Sequence, residues 1–245
     1  MIDEILILAA GLGSRMAAIT HDRPKCMAPF QGGTFLSRLL QQLSPHRPRR
    51  IHIVGGYQVE ALRRYLENAE FAGLPFNVIT NSEFARTNSL ASCALALAEA
   101  RGQLLVLNSD VVYDAEVIRR MVTHSAPFAF ALDRSCYSEE SEKIALRGDG
   151  LAVQIAKTLT AAEAAGCSLD LYRFNTESDD GAWRGMLANF LARPNTSRRL
   201  FEDFIDFTLI ARPWECVDVS GLEWYEIDTV EELKEAEALF NQLKL

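Results

Sequence analysis

The run Ile5-Leu6-Ile7-Leu8-Ala9-Ala10 stops at Gly11-Leu12-Gly13-Ser14-Arg15, and no other stretch constrains the fold as tightly. Apolar residues without alternation read as a central strand covered on both faces, as in a parallel sheet. Beyond it the patterns alternate. Leu36, Leu39, Leu40 and Leu43 recur at helical spacing, Ile51 to Val54 reads as a strand ending in Gly55-Gly56, and Val59 to Leu66 is helical again. Phe76 to Thr80 predicts a strand, Ser89 to Ala100 an alanine-rich helix, Leu104 to Asn108 a strand running into Ser109-Asp110, and Asp114 to Val122 a helix. The expected fold class is α/β: one Rossmann-like domain over residues 1-245, with a mixed, mostly parallel central sheet whose ligand crevice lies outside the carboxyl ends of its strands. Gly11, Gly55 and Asp110 all follow such ends.

The character changes after Phe128. Lys143 to Arg147 and Leu151 to Ala156 flank the turn Gly148-Asp149-Gly150, which predicts a hairpin, and Leu169 to Phe174 predicts another strand. A small antiparallel insert over about 133-200 is therefore expected to close over a second ligand. Helices are expected at Trp183 to Leu191 and Arg198 to Ala211, a strand at Cys216 to Val219, and a closing helix from Val230 to Leu243 capped by Asp228 or Thr229.

Bulk properties exclude several classes of protein. With 49% hydrophobic and 24% charged residues the chain can bury a sizeable core. Its 25 basic against 33 acidic side chains leave a net charge of −8, which repels a polyanion, so nucleic acid is not an expected partner. The apolar start is too short and too acidic in its flank for a signal peptide or a membrane span. Cys26, Cys93, Cys136, Cys167 and Cys216 form no C-x-x-C pair and are odd in number, so they read as reduced thiols of a cytoplasmic protein. Assembly as a homodimer stays open.

Chemistry concentrates in Leu8, Ala9, Ala10, Gly11, Leu12, Gly13, Ser14 and Arg15, followed by Asp22-Arg23-Pro24-Lys25. Small residues let successive backbone N–H groups converge on phosphate oxygens, while Arg15 and Lys25 add positive charge, so a triphosphate suits the loop. Met16 stands where a dinucleotide fingerprint needs its third glycine, and no Gly-Lys-Ser/Thr follows. The competing structural reading is a tight turn with two surface cations. Asp110 sits where an apolar strand gives out, so its carboxylate reaches the crevice. Mg²⁺ takes one or two protein carboxylates and completes its shell with water and phosphate, which makes Asp228 a candidate second ligand unless it merely caps its helix. Asn81, Thr87, Asn88 and Ser89 offer groups that can read a base edge, or simple turn and cap chemistry.

These motifs resemble the nucleoside-triphosphate transferase family, whose pattern L-A-A-G-x-G-x-R-[LM] then x-P-K is matched from Leu8 to Lys25. Asn81-Ser82 with Thr87-Asn88-Ser89, and Glu226-Ile227-Asp228, look most like its phosphocholine cytidylyltransferase branch. Arg-Pro-Leu-Thr, common after the loop in relatives, is replaced here by Ala17-Ala18-Ile19-Thr20. The resemblance implies catalytic roles for Lys25, Arg15 and Asp110, Mg²⁺ on Asp110 and Asp228, and the pyrimidine or ribose near Asn81, Thr87, Asn88 and Ser89. It implies CMP transfer from CTP to a small phosphorylated or phosphonate acceptor such as phosphocholine, with release of pyrophosphate. Lys143, Lys157 and Tyr172 are the expected acceptor-binding residues; an aromatic wall for a quaternary ammonium could draw on Tyr172, Phe174, Trp183, Phe190 and Trp224. The alternatives are a sugar-phosphate nucleotidyltransferase using CTP, GTP or UTP, and a non-catalytic nucleotide-binding protein.

Overall fold

In the computed structural model, which describes residues 2–241, the opening run becomes β1 (Glu4–Ala9), with all six residues buried. The chain continues through α1 (Ala17–Thr20), the hairpin β2 (Pro29–Phe30) and β3 (Gly33–Thr34), α2 (Phe35–Leu43), β4 (Arg50–Gly55), α3 (Val59–Leu66), β5 (Phe76–Thr80), α4 (Ser89–Glu99) and β6 (Gln103–Asn108). Strands β6, β1, β4 and β5 lie side by side and parallel. The chain leaves β1 for β4 on one side and returns to β6 on the other, so the strand order reverses at β1. A crevice opens at such a switch point, and the glycine loop sits there.

Period-2 alternation explains why β1 is apolar throughout. Ile5 and Ile7 enter one core with Leu36, Leu39, Leu62, Val117 and Met121, while Leu6 and Leu8 enter the opposite core with Leu90, Leu97, Trp183 and Phe204. Each such side chain, once buried, contributes about 1.5–3 kcal/mol.

The second half builds the other wall. β7 (Val111–Tyr113), α5 (Ala115–Thr123) and β8 (Phe128–Asp133) precede β9 (Lys143–Leu146), β10 (Ala152–Ala156) and the long β11 (Gly166–Asn175). The expected antiparallel strands thus form, and they extend the main sheet in the order β10-β9-β11-β6. β11 shifts register between Ser168 and Tyr172, and within that bulge Asp170 adopts the left-handed φ of 53°. Helices α6 (Ala182–Leu191) and α7 (Phe201–Leu209) follow, then β12 (Glu215–Asp218), parallel to β8, then β13 (Trp224–Glu226) and α8 (Val230–Phe240). The expected helix end at Leu243 lies outside the described residues.

Two features depart from the sequence reading. The short strands β7 and β13 pair antiparallel, Val111 with Glu226, and Ile227 N–H donates to the Asp110 carbonyl at 2.9 Å. This ladder joins two regions that show no local strand pattern. Cys136 and Cys167 form a disulfide with Cα atoms 5.4 Å apart, which corrects the expectation of five reduced thiols; Cys26, Cys93 and Cys216 are free. The cause is tertiary. Cys167 pairs with Asp133 at the end of β8, only three residues before Cys136, and a sequence separation of 31 carries no local signal of that meeting.

Candidate active site

A cavity of about 240 Å³ opens over the carboxyl ends of β1 and β6. Leu8, Ala9, Ala10 and Gly11 form one edge, and Asn108, Ser109 and Asp110 the floor beside them. Pro24, extended at φ −61° and ψ 150°, turns the chain into a short 3-10 turn that starts at Lys25. The Lys25 side chain runs inward, 9% exposed, and its Nζ donates to Asp110 Oδ2 at 2.6 Å and to Asp228 Oδ1 at 2.5 Å. Arg15 Nη2 reaches the other oxygen of Asp228 at 2.5 Å from a largely exposed position. Burial opposes the charged ammonium of Lys25, but Asp110 and Asp228 outweigh it and hold the group above its ordinary value. Burial likewise raises Asp228, and Lys25 with Arg15 brings it below the usual carboxylate range.

Asp228 is free to make these bonds because its neighbour caps the helix. Thr229 Oγ1 accepts from Glu232 N–H at 3.1 Å, and Glu232 returns Oε2 to the N–H groups of Thr229 and Asp228 at 2.8 and 2.7 Å. The capping box therefore belongs to Thr229.

The loop itself divides. Gly11 borders the cavity, whereas Leu12, Gly13, Ser14 and Arg15 form a rim that does not line it. Gly13 holds φ at 59° and lies so close to Lys25 that an added Cβ would stand 3.0 Å from the Lys25 Cβ. Met16 is fully buried beside Phe30, Phe35 and Ile227, so the residue in place of a third glycine anchors the loop to a separate small core.

Asn81, Thr87, Asn88 and Ser89 line one side together with Phe84. Their local chemistry is partly structural. Asn81 Nδ2 donates to Thr87 Oγ1 at 3.1 Å and Ser92 Oγ at 3.0 Å, and Asn88 caps α4 by accepting from Ser89 N–H at 2.9 Å. Gly56 brings this segment against the first loop, since a Cβ there would meet Phe84 and stand 2.7 Å from the Ala10 carbonyl.

The lining also carries Glu140, Ser141, Glu142, Lys157, Ser168, Asp170 and Glu202. The structure brings Lys157 to this wall but not Lys143 or Tyr172. Lys143 is fully buried because its Nζ donates to the carbonyls of Ser138, Glu139 and Ser141 at 2.8, 3.4 and 3.1 Å, bracing the turn that presents Glu140 and Glu142. Tyr172 lies behind the wall and donates its hydroxyl to Glu202 Oε1 at 2.7 Å. No aromatic wall forms from the other candidates: Phe174, Trp183 and Phe190 belong to the core, and Trp224 donates Nε1 to Asp133 at 3.0 Å. They are large apolar faces with a better use in packing than at a polar cavity.

Asp170, Glu202 and Glu226 carried no role in the sequence reading. Asp170 did leave a signal, an acid inside the apolar run Leu169-Asp170-Leu171; Glu202 in the first turn of a helix resembles any dipole-complementing surface acid. Burial and the neighbouring Glu202 push Asp170 well up, and burial with Asp170, Asp110 and Asp228 raises Glu226 to about 8. Among the described residues no group of three or more His, Cys, Asp and Glu is arranged to hold a metal. Asp110 and Asp228 nevertheless suit a hard cation, because oxygens from both converge within 2.6 Å of one positive nitrogen.

A glycine loop at the switch point of a parallel sheet, with a lysine between two carboxylates, is the site of a chain of the nucleotidyltransferase class. The chain belongs to the MobA-like NTP transferase domain family, whose model matches residues 5–167. CMP-5'-(3-aminopropyl)phosphonate synthase of Streptomyces rubellomurinus is 27% identical over 244 residues, 96% of this chain and 38% of that protein. CTP:phosphoglutamine cytidylyltransferase of Campylobacter jejuni is 28% identical over 136 residues, 53% of this chain and 52% of that protein. The chain thus spans about half or less of the length of these two relatives. Among solved structures, the inositol-1-phosphate CTP transferase from T. maritima superposes with a TM-score of 0.81 at 15% identity, over 99% of this chain and 96% of that one. The CTP:phosphocholine cytidylyltransferase from Streptococcus pneumoniae gives 0.76 at 15% identity, over 98% and 100%. At these identities the likeness establishes the fold.

Proposed function

We propose that this chain, acting as one domain, transfers CMP from CTP to a small phosphorylated or phosphonate acceptor and releases pyrophosphate. The observation that carries the reading is Lys25 held between Asp110 and Asp228 at the mouth of the crevice, next to Gly11. The choice of CTP is supported by the names of the two relatives, one a CMP-phosphonate synthase and the other a CTP-dependent cytidylyltransferase.

The triphosphate lies along Ala10 and Gly11, with the base toward Asn81, Phe84 and Asn88. An acceptor oxygen attacks the α-phosphorus, the bond to the β-phosphate breaks, and pyrophosphate departs in line. Lys25 and Arg15 offset the negative charge that gathers on the phosphoryl oxygens, with no reorganisation needed because their carboxylate partners already hold them in place. Mg²⁺ held by Asp110 and Asp228 would add Lewis-acid stabilisation of the same charge. Lys157 faces the incoming acceptor phosphate. A second reading, a sugar or polyol phosphate as acceptor, draws on Asp170 and Glu202, since carboxylates also accept from hydroxyls.

The test is a pyrophosphate-release screen of CTP, GTP, UTP and ATP against phosphocholine, phosphoethanolamine, aminoethylphosphonate and several sugar phosphates, with Mg²⁺ present. Release with CTP and one of the nitrogen-bearing acceptors is the expected result. Release with none of the four nucleotides rules the transferase reading out.

A further inference from the structure

We propose that Glu202 is the specificity-determining residue of the acceptor end, and that it selects an acceptor ending in a primary ammonium over a quaternary ammonium or an uncharged polyol. This rests on the transfer reaction above and names its acceptor class.

Glu202 opens α7, is 6% exposed and borders the cavity. Its Oε1 takes the Tyr172 hydroxyl at 2.7 Å, while its second oxygen takes no hydrogen bond from another described residue. The same hydroxyl also lies 3.2 Å from Asp170 Oδ1. A phenol has one proton, so it serves one of these carboxylates at a time. Asn108 Nδ2 gives Asp170 a donor at 2.8 Å, but no cationic side chain of the described residues bonds to Asp170 or Glu202. Lys25, the buried cation among the lining residues, is already held by Asp110 and Asp228.

Tyr172 has one proton for two carboxyl groups, so Glu202 keeps an oxygen without a donor from another described residue, and neither group is bonded to a cationic side chain of the described residues. A primary ammonium supplies three N–H donors and a unit charge. A quaternary ammonium has the charge without the donors, and is held best by aromatic faces. Phe84 is the one aromatic side chain that lines the cavity among the described residues. A polyol supplies donors without charge. Burial pushes Glu202 up to about 7, which is the cost that a bound cation would relieve.

The experiment compares 2-aminoethyl phosphate with its trimethyl counterpart phosphocholine and with glycerol 3-phosphate, using the full chain. Both calorimetric binding and CTP-dependent pyrophosphate release are measured, in wild type and Glu202→Gln. Wild type is expected to bind and use the primary amine at least tenfold better than either alternative, and Glu202→Gln is expected to reduce that preference at least tenfold, mainly through KM. An unchanged thermal shift by CTP shows that the variant is folded. Equal or better use of phosphocholine by wild type, or a preference that survives in Glu202→Gln, overturns the inference while leaving nucleotidyl transfer intact. If amine binding depends on Glu202 but no nucleotide yields pyrophosphate, the transfer reading fails and the ammonium site stands.

Discussion

Lys25 and Asp110, 85 positions apart in the chain, meet at 2.6 Å, and the same ammonium bridges to Asp228. The lysine therefore orders the two carboxylates. Lys25→Gln is expected to lower kcat for pyrophosphate release about a hundredfold or more, on the scale seen when one preorganised donor is removed from a charge-stabilising site. Near-normal turnover in that variant, or in Asp110→Asn, would remove both residues from the machinery.

Glycines 11 and 13 are expected to separate binding from folding. A Cβ at Gly11 meets nothing within 4 Å, yet it projects where the cavity begins, so Gly11→Ala should weaken CTP binding with little change in urea midpoint. At Gly13 the φ of 59° and the Lys25 Cβ at 3.0 Å make alanine costly. Gly13→Ala is expected to lose about 1–2 kcal/mol of stability and to displace Lys25, reducing turnover as well. If the two variants behave alike, the loop is not divided as described.

Much of this could be read along the chain, and what could not has a common cause. Val59–Leu66 and Phe76–Thr80 fall where the periodicity puts them, because each buries one face or one strand against a neighbour near in sequence. β7 and β13 have three residues each, too few for a period, and exist because they find one another across more than a hundred residues. Asp110 and Asp228 were legible as an acid after an apolar strand and an acid before a helix. Glu202 was not, because nothing in Leu200-Phe201-Glu202-Asp203 tells a buried helical acid from a solvated one. Lys143 failed in the other direction: a lysine in a polar stretch looks exposed until its turn folds back over it.

Glu202 also sets a pH dependence. Its carboxyl rises from the ordinary 4.5 to about 7 through burial, so between those values the folded protein holds a proton that the unfolded chain has released. The contribution of this group to stability is fully present below about 4.5 and is lost as pH rises through about 7. Glutamine at this position keeps an oxygen for Tyr172 and never ionises. The melting temperature of Glu202→Gln relative to wild type is expected to climb between pH 5 and pH 8.5, by the equivalent of about 1–3 kcal/mol. A flat difference across that range would mean that Glu202 ionises normally.

The Cys136–Cys167 bridge has a chemical signature. Denatured without reductant the protein should titrate three thiols, those of Cys26, Cys93 and Cys216, and after reduction all five. By loop-closure entropy a bridge across 31 residues contributes about 3–4 kcal/mol. Dithiothreitol should therefore lower the urea midpoint of wild type and leave that of Cys136→Ser unmoved. Five reactive thiols without reductant would show that no bridge forms.

The ladder between β7 and β13, with Ile227 bonded to the Asp110 carbonyl, also orders events in time. A ribosome makes the glycine loop, Lys25 and Asp110 first and Asp228 more than a hundred residues later, so a nascent chain can assemble its parallel strands before its second carboxylate exists. Until that segment emerges, Lys25 has one partner instead of two and Arg15 has none from Asp228.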